Sequence, residues 1–360
     1  MKVMAGIDLH SNNAMIGLVD MEGNRLQHKK VACELEAVLE VLAPYKRRLE
    51  KVAVESTYNW YWLVDGLNDH EYPVVLANPA RIDQYDGLKH ADDKSDAFFL
   101  AELLRLGILP TGYIYDRQTR PVRDLLRRRL SLVRQRSSLI LSFKSLYARN
   151  TGAALSLSRV KALSVEEAKG LYQHPCDRLI AEEQMTVMRQ LDASIERIEK
   201  TVLKVVKLLP CYKRLQTMPG IGVILGLTIT LETGPIGRFA SAGDYASYCR
   251  CVKAQRLSNQ KRKGQNNRKC GNKYLAWAFV EAAHGAKRFD TASQKFYERK
   301  KSQTNAIVAT KALACKLSKA AWHVMAEEVD YDGRRVFGGQ GKINFGRSGR
   351  EPDSGHGLKA

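Results

Sequence analysis

The order of strand-like and helix-like segments in the first hundred residues constrains the fold more than any other feature of this sequence. Three strand-like runs come first, at 3–9, 13–20 and 25–32. Gly23 and Asn24 lie between the second and third runs, and these residue types favour a tight turn, so the two runs are expected to form a hairpin. The chain therefore opens with strands that can pair as neighbours in one sheet.

Helical and buried-strand patterns alternate after this opening. Helical patterns lie at 34–43, 59–69 and 93–106, and the short apolar runs typical of buried strands lie at 52–56 and 72–78. Three strands followed by such an alternation is the order of the ribonuclease-H-like fold, of which RuvC-like domains are one form. We predict this α/β fold for residues 1–116.

The middle of the chain has a different pattern. Long helical patterns run through 121–149 and 178–207, and the second has sustained heptad-like spacing. Such a pair of helices is typical of an antiparallel coiled-coil arm, which often joins protomers. We expect residues 117–209 to form this arm and to support a homo-oligomer, either a dimer or a tetramer.

Residues 210–330 are predicted to form a third, mostly helical domain, so that the whole chain is α/β plus α. Met-Pro-Gly-Ile-Gly at 218–222 resembles the turn of a helix-hairpin-helix element. In such a turn Gly220 and Gly222 would let backbone N–H groups approach a phosphate. An ordinary glycine-rich connection between two helices is the alternative.

The end of the chain combines one helical pattern with a polar tail. A last helix is expected at 304–328. Residues 331–360 are rich in glycine and polar residues, a composition that predicts a disordered tail.

The charge of the chain is unevenly distributed. The formal net charge is +20, yet residues 1–116 hold 12 Lys and Arg against 18 Asp and Glu, so the front is acidic and the rest is strongly basic. A basic excess of this size favours a polyanionic partner, either a nucleic acid or an anionic membrane surface. The sequence contains neither a long apolar run nor a membrane-binding amphipathic stretch, which favours nucleic acid and argues against a membrane.

The cysteines and the first residues indicate a compartment. The seven scattered cysteines do not suggest a disulfide framework. Cys249 and Cys251 are close in sequence, but no second pair completes a zinc site, so buried reduced thiols are the better interpretation. Asp8 comes too early for the apolar region of a signal peptide. We therefore expect a cytoplasmic protein.

Two segments carry charge of a single sign. The arginine run, residues 117–136, holds eight arginines and one acid, and the basic segment, residues 251–273, holds eight lysines and arginines and no acid. Solvated helix faces usually mix both signs, so single-sign runs favour contacts with phosphates. The candidate nucleic-acid-binding residues in these two segments are Arg123, Arg127, Arg128, Lys253, Arg256, Lys261, Arg262, Lys263, Arg268 and Lys269.

Four carboxylates of the acidic front have positions suited to metal binding. Asp8 and Glu55 lie at the ends of strand-like runs, and Asp93 and Asp96 lie three residues apart at the start of a helical pattern. Converging acids would repel one another without a cation, and two Mg²⁺ ions, or Mn²⁺, would satisfy them. Taken singly, each acid fits a structural role better than a catalytic one, with Asp8 as a strand-end turn residue and Asp92 or Asp93 as a helix N-cap; jointly, the four acids favour a metal site.

Three short motifs in the front carry a resemblance to a known family. They are Gly-Ile-Asp-Leu-His at 6–10, Val-Glu-Ser-Thr at 54–57 and Asp-Lys-Ser-Asp-Ala at 93–97. They resemble the motifs of the DEDD transposases of bacterial insertion sequences, which are relatives of the Piv-type DNA invertases. Further matches follow in the expected order at 218–222, 237–241 and 270–275, so the resemblance covers about residues 3–325.

The resemblance implies a RuvC-like domain followed by a C-terminal transposase domain. It also implies catalytic, metal-binding roles for Asp8, Glu55, Asp93 and Asp96. In this family the C-terminal domain supplies a serine nucleophile, usually followed by a Gly- and Arg-rich segment and a Gly-Asn pair. Arg-Leu-Ser-Asn-Gln-Lys-Arg-Lys-Gly, with Gly-Asn downstream, selects Ser258 as the matching residue.

Two departures from the family pattern lie near this serine. Asn259 stands where relatives commonly have glycine, and the residues at 249–252 replace the usual Gly-Leu-x-Pro. A loop hydroxyl among phosphate-contacting lysines is the alternative interpretation of Ser258. Ser241 is a weaker candidate, because Ser-Ala-Gly-Asp at 241–244 is typical of a helix N-cap.

The expected activity is that of a metal-dependent DNA recombinase, a transposase that cuts and rejoins DNA. The resemblance further implies that a non-coding RNA of the element guides target choice by base pairing. It also implies a bacterial protein that is associated with the nucleoid when it is bound to DNA. Two alternatives stay open: a RuvC-like junction-resolving nuclease that uses water as nucleophile, and a non-catalytic nucleic-acid-binding protein.

Overall fold

The computed structural model of the chain describes residues 1–82, 93–205, 210–252, 256–258, 261–264 and 270–338. A six-stranded sheet with flanking helices comes first, and the remainder is mostly helical, in agreement with the predicted α/β plus α class. Over these ranges, no helix is both long enough and apolar enough to cross a membrane.

A mixed sheet forms the centre of the N-terminal part. Its strands are β1 (Val3–Leu9), β2 (Asn13–Asp20), β3 (Arg25–Ala32), β4 (Leu49–Glu55), β5 (Val74–Ala77) and β6 (Thr111–Gly112). The spatial order is β3-β2-β1-β4-β5-β6, with β1, β4 and β5 parallel and the other pairings antiparallel. The first three strands match the predicted ranges, whereas β6 is too short to produce any periodicity in the sequence.

The predicted turn between β2 and β3 is confirmed. Asp20 caps it, because its Oδ1 accepts hydrogen bonds from the backbone N–H groups of Glu22 at 3.0 Å and Asn24 at 2.8 Å. Gly23 has a φ of 91°, in the region that favours glycine. The opening strands therefore owe their register to a local turn as well as to their apolar faces.

Helices cover both faces of the sheet. On one face lie α1 (Leu35–Leu42) and α2 (Tyr61–Asp69), and on the other lies α3 (Asp93–Arg105). Gly6 of β1 allows α3 to sit directly on the sheet, because a Cβ at this position would lie 2.6 Å from the backbone nitrogen of Ala101. Gly17 of β2 has the same role, since its Cβ would lie 3.0 Å from Phe98. The contact fixes the position of the first turn of α3 over β1.

A pair of long helices follows, as predicted. They are α4 (Thr119–Thr151) and α7 (Pro175–Val205), and between them lie the short helices α5 (Leu157–Ala162) and α6 (Val165–Gly170). Side-chain pairs show that α4 and α7 run antiparallel: Arg129 with Glu199 at 2.6 Å, Arg136 with Asp192 at 2.5 Å, and Gln184 with Ser142 at 2.8 Å. Phe143, Leu146 and Met185 are among the buried residues at the distal end of this helical arm.

The C-terminal part packs around two central helices. Its elements are α8 (Pro210–Leu215), α9 (Val223–Thr233), α10 (Ala242–Tyr248), β7 (Arg256–Ser258), β8 (Lys261–Gly264), α11 (Lys273–Phe289), α12 (Thr291–Gln303), α13 (Ala306–Ala326) and α14 (Gly333–Phe337). Phe279 of α11 and Leu313 of α13 are fully buried in the shared core. Ser241 is the N-cap of α10, as predicted, and its Oγ accepts from the Asp244 backbone N–H at 3.1 Å.

The tail begins with an ordered helix. Phe337 of α14 lies with its ring 5.7 Å from that of Phe296, and Lys316 Nζ donates to the carbonyl of Val336 at 2.7 Å. The prediction of a disordered tail is therefore wrong for residues 331–338, because aromatic contacts with α12 and α13 order a segment whose composition is polar. Residues 339–360 lie outside the described residues.

Candidate active site and nucleic-acid interface

Asp8 and Glu55 lie on the same face of the sheet, at the C-terminal ends of adjacent strands: Asp8 is the next-to-last residue of β1 and Glu55 is the last residue of β4. β1 and β4 are parallel neighbours, with Ile7 opposite Val54. These two residues pack on the side of α1 and α2, so the next residue of each strand points to the side of α3. Strand alternation therefore places both carboxylates side by side under α3.

Asp96 completes a group of three acids. It lies in the first turn of α3, immediately before Ala97, whose backbone contacts Gly6. Burial, followed by the hydrogen bond with Asp8 and the charges of Asp8 and Asp96, together raise the pKa of the Glu55 carboxyl to about 8. The three acids are thus close enough to act on one another.

A short polar network orients Asp8. Its Oδ2 atom lies 3.1 Å from Nε2 of His10. Asn59 donates from Nδ2 to the carbonyl of His10 at 2.8 Å, and Thr57 Oγ1 donates to Oδ1 of Asn59 at 2.9 Å. The loop after β4 therefore holds the loop after β1. His10 and Asn59 were not predicted as site residues, although the two-residue spacing of Asp8 and His10 was a signal, since such residues share one face of a strand.

The donor chemistry of these acids fits a divalent cation. Asp93 is the first residue of α3, and its side chain lies outside the described part of the structure. Within that part, no three acidic, histidine or cysteine side chains already form a complete metal-binding group. Closely placed carboxylates nevertheless supply the hard oxygen atoms that Mg²⁺ and Mn²⁺ prefer. A cation would also compensate the negative charges that, together with burial, raise the pKa of Glu55.

The backbone of Ser258 lies in a two-stranded hairpin. Ser258 ends β7 and is opposite Lys261 at the start of β8. Arg256 begins β7, and Arg262 and Lys263 belong to β8. The fold thus brings the backbones of the predicted serine and four predicted phosphate-contacting residues together. Lys253, Arg268 and Lys269 lie outside the described residues, as do the side chains of the hairpin.

The two ends of the basic segment are tied to each other. The backbone N–H of Asn272 donates to the carbonyl of Tyr248 at 2.7 Å, and Arg250 Nε donates to the carbonyl of Gly271 at 3.1 Å. Gly271 has a φ of 82°, and Asn272 is the N-cap of α11. The Gly-Asn pair noted in the sequence therefore turns the chain into α11 and closes the base of the segment.

Cys270, at the end of the basic segment, contacts the loop after β5, at the end of the sheet where the acids lie. β5 ends at Ala77, which is paired with Glu55. Ala80 lies just beyond, and its carbonyl accepts a hydrogen bond from Sγ of Cys270 at 3.2 Å. The C-terminal part therefore reaches the carboxylate end of the sheet within one chain.

Arg123 of the arginine run has internal partners. It is 4% exposed, its guanidinium lies 3.7 Å from the ring centroid of Tyr115, and Nη2 donates to the hydroxyl of Tyr61 at 2.9 Å. This burial corrects the prediction that Arg123 contacts a phosphate. Arg128 is exposed and stays a predicted phosphate contact.

Arg127 joins the helical arm to the C-terminal part. Its Nε and Nη2 donate to the two carboxylate oxygens of Glu232, at 2.5 and 2.7 Å. Glu232 also accepts from Nδ2 of Asn272 at 2.7 Å, and its backbone carbonyl accepts from the hydroxyl of Tyr115 at 2.6 Å. The prediction that Arg127 binds phosphate is corrected accordingly, because a buried acid distant in sequence already satisfies it.

The glycine turn at 218–222 has a packing role. Gly220 has a φ of 79°, and a Cβ there would lie 2.6 Å from the backbone nitrogen of Ala286 in α11. Gly220 is therefore required for close contact between this turn and α11, and its phosphate contact stays a prediction. Gly222 is the exposed N-cap residue of α9, with open space around its Cα, and its phosphate contact stays a prediction.

Comparisons with known proteins agree with this architecture. A family model described as a transposase, of the DEDD IS110 type, matches residues 5–148, and one described as the transposase IS116/IS110/IS902 family matches residues 212–298. A Pseudomonas aeruginosa protein named "Probable family 20 transposase" is 23% identical over 91% of this chain and 97% of its own length. A Sinorhizobium fredii protein assigned as transposase y4qE is 25% identical over 63% of this chain, which spans 55% of that protein's length.

The matched segments include both parts of the candidate site. The first contains the four predicted acids and the second contains Ser258. By these matches the protein is a transposase. More specifically, the chain belongs to the family of DEDD transposases of insertion sequences. Membership implies DNA binding and suggests DNA-cutting activity, and transposases of this family typically use divalent metal ions.

Proposed function

We propose that this transposase cuts and rejoins the DNA of an insertion sequence with four metal-binding carboxylates and a serine nucleophile. The observation that carries the proposal is the convergence of Asp8, Glu55 and Asp96 at one sheet edge. Asp93, one helical turn before Asp96, is the proposed fourth ligand. The proposed ions are two Mg²⁺, with Mn²⁺ as a substitute, and the domain that holds them would be RuvC-like.

The residues of the chain have distinct proposed tasks at this edge. Bound divalent ions would stabilise negative charge on a phosphodiester and orient it. Asp8 and Glu55 are held by the strands, and His10 keeps the Asp8 carboxylate in one orientation. Glu55 has to lose a proton to act as a ligand, because burial and its acidic neighbours raise its pKa. The rigid sheet thus preorganises the oxygen donors before substrate binds.

Ser258 is the proposed nucleophile. Its Oγ would attack the phosphorus, a new Oγ–P bond would form, and the P–O bond to the deoxyribose would break as the hydroxyl proton passes to the leaving oxygen. The phosphoserine linkage would conserve the bond energy for rejoining. Lys261, Arg262 and Lys263 follow in the chain and would offset the phosphate charge. The family resemblance and the position of Ser258 in the basic hairpin support this assignment.

The proposal extends to the partners of the protein. The excess of positive charge after residue 116 supports DNA binding, and the family resemblance supports a guide-type non-coding RNA. Exposed apolar residues on the helical arm, among them Leu141 and Val187, support association into a dimer or tetramer.

Two substitutions with a matched control test the proposal. Asp8→Asn and Ser258→Ala are expected to abolish strand exchange on element-end DNA. Asp69→Asn changes an exposed carboxylate of the same domain, in α2, and is expected to leave exchange unchanged. Circular dichroism melts would establish that all three variants are folded.

The outcomes separate this proposal from its alternatives. Cleavage that persists in Ser258→Ala, without a covalent protein–DNA adduct in the parent, would favour a nuclease that uses water. Full activity in Asp8→Asn would exclude the metal site. Absence of cleavage by the parent in the presence of Mg²⁺ and any added element RNA would favour a non-catalytic DNA-binding protein.

A further inference from the structure

A positively charged cleft lies in the C-terminal part, between α12, α13 and the ordered start of the tail. Its volume is about 330 Å³, and it is lined by Ala292, Lys295, Phe296, Arg299, Lys316 and Phe337. No acid is among these lining residues, which the structure describes in full. The cleft is separate in sequence from both the arginine run and the basic segment.

Three cations from two helices face this cleft. Lys295 and Arg299 are exposed and lie four residues apart on α12, so they share one helix face, and Lys316 comes from α13. The acids closest in sequence to these residues are engaged elsewhere. Glu298 pairs with Lys301 at 3.4 Å. Asp290 and Asp332 accept hydrogen bonds from the backbone N–H groups of Ser293 and Arg334, each at 2.8 Å. The positive charge of the cleft is therefore available to an external anion.

Aromatic walls keep these cations in place. Lys316 Nζ lies 5.2 Å from the ring centroids of both Phe296 and Phe337, and the Arg299 guanidinium lies 5.7 Å from that of Phe296. Burial lowers the pKa of Lys316, and the charges of Arg299 and Lys319 lower it further. Such crowding of like charges beside apolar rings is relieved by an anion, which interacts more strongly there than in open water.

We propose that this cleft binds a backbone phosphate of a nucleic acid. The proposal rests on the proposed function, since nucleic acid is the polyanion that such a protein handles. The lining offers cations and aromatic walls without the mixed donors and acceptors that would distinguish bases, so the contact is to the backbone and independent of sequence. The ordered start of the tail would then have a role in binding, because the Val336 carbonyl and the Phe337 ring hold Lys316 in the cleft.

Binding measurements with matched charge variants test the proposal. The probes are a labelled DNA duplex and a labelled single-stranded RNA, and fluorescence anisotropy gives the dissociation constant of the full chain at several salt concentrations. Arg299→Gln and Lys295→Gln are each expected to weaken binding of at least one probe by about threefold to tenfold and to lower the slope of log K against log salt by about one. Lys301→Gln, which removes the same charge from α12 but outside the cleft, is expected to leave both quantities unchanged.

Several outcomes would overturn the proposal. Equal weakening by Lys301→Gln would mean that only the overall charge matters. Unchanged binding in Arg299→Gln and Lys295→Gln, with a parent that binds, would reject the cleft and leave the proposed function standing. Calorimetric binding of inorganic phosphate that depends on Arg299, without any effect on either probe, would make this a site for free anions. A parent that binds neither probe would reject the proposed function itself.

Discussion

Arg127 of α4 holds both carboxylate oxygens of Glu232, a residue 105 positions further along the chain. Glu232 is 2% exposed and lies in an otherwise uncharged helix, α9. The pair links the helical arm to the C-terminal part. Two parallel charge-assisted hydrogen bonds give the pair a defined geometry. The pair therefore fixes the orientation of the helical arm relative to the C-terminal part and also stabilises the fold.

Loss of Arg127 is expected to leave an uncompensated buried carboxylate. We predict that Arg127→Gln lowers the free energy of unfolding by about 3 kcal/mol, as observed when one partner of a buried ion pair is removed. Urea denaturation followed by circular dichroism measures the change. Lys200→Gln, which breaks an exposed pair with Glu196, is the control and should leave stability unaltered. Equal effects of the two substitutions would contradict a special role for the buried pair.

Gly6 is expected to tolerate no side chain. A methyl group there would overlap the backbone of α3, so Gly6→Ala should destabilise the protein by about 1–3 kcal/mol and displace Asp96 from its acidic neighbours. Thermal melts and DNA cleavage assays measure the two effects. Gly170→Ala, at a position with open space around it, is the matched control. A Gly6→Ala variant with the melting temperature and activity of the parent would refute the close approach of α3.

The raised pKa of Glu55 predicts a pH dependence of the metal-free protein. The pKa in the folded chain is about 8 and the ordinary value is 4.5, so the folded state keeps a proton that the unfolded state loses. Stability should therefore fall as the pH rises between these two values and level off above the higher one. Melting temperatures in the presence of a chelator measure this trend.

Two further measurements test the origin of that trend. Glu55→Gln should flatten the pH dependence, whereas Glu40→Gln, at an exposed position of α1, should retain it. Added Mg²⁺ should raise the melting temperature more above the pKa of Glu55 than well below it, because a cation competes with the proton. A Mg²⁺ effect that is independent of pH would argue against Glu55 as a ligand.

Two nearby arginines should respond differently to substitution. Arg123→Gln is expected to lower stability without changing the salt dependence of DNA binding, because its guanidinium is buried against Tyr115. Arg128→Gln should leave stability unchanged and reduce the slope of log K against log salt by about one, as for the loss of a phosphate contact. Anisotropy titrations and melts distinguish these results. The reverse pattern would show that Arg123, and not Arg128, contacts the phosphates.

Local patterns were sufficient to predict the elements around the acids. Short apolar runs located β1 and β4, and the α/β order predicted that Asp8 and Glu55 would lie together. The position of Asp96 was harder to predict. It depends on the packing of α3 against Gly6, and that contact joins residues distant in sequence. The pattern indicates which residues form a helix, but not how closely the helix approaches the sheet.

Charge runs were the least reliable signal. They predicted phosphate contacts for Arg123 and Arg127, whereas the fold satisfies these arginines with Tyr61 and Glu232. A local count of charges cannot include an acid supplied by a different helix. The lone Glu232 within an apolar run was an indication of such a partner, since a buried carboxylate requires a cation or several donors.

Hydrogen bonds at the two ends of the basic segment hold these ends together. Tyr248 and Asn272, with Arg250 and Gly271, fix α10 and α11 relative to each other irrespective of the chain between them. Lengthening a loop whose ends are already fixed costs little, about 0.6 kcal/mol for each doubling. We therefore expect insertions and deletions between these fixed ends to leave the packing of α10 and α11 intact. Evolution can diversify the sequence around the proposed serine while the packing of the two helices is inherited unchanged.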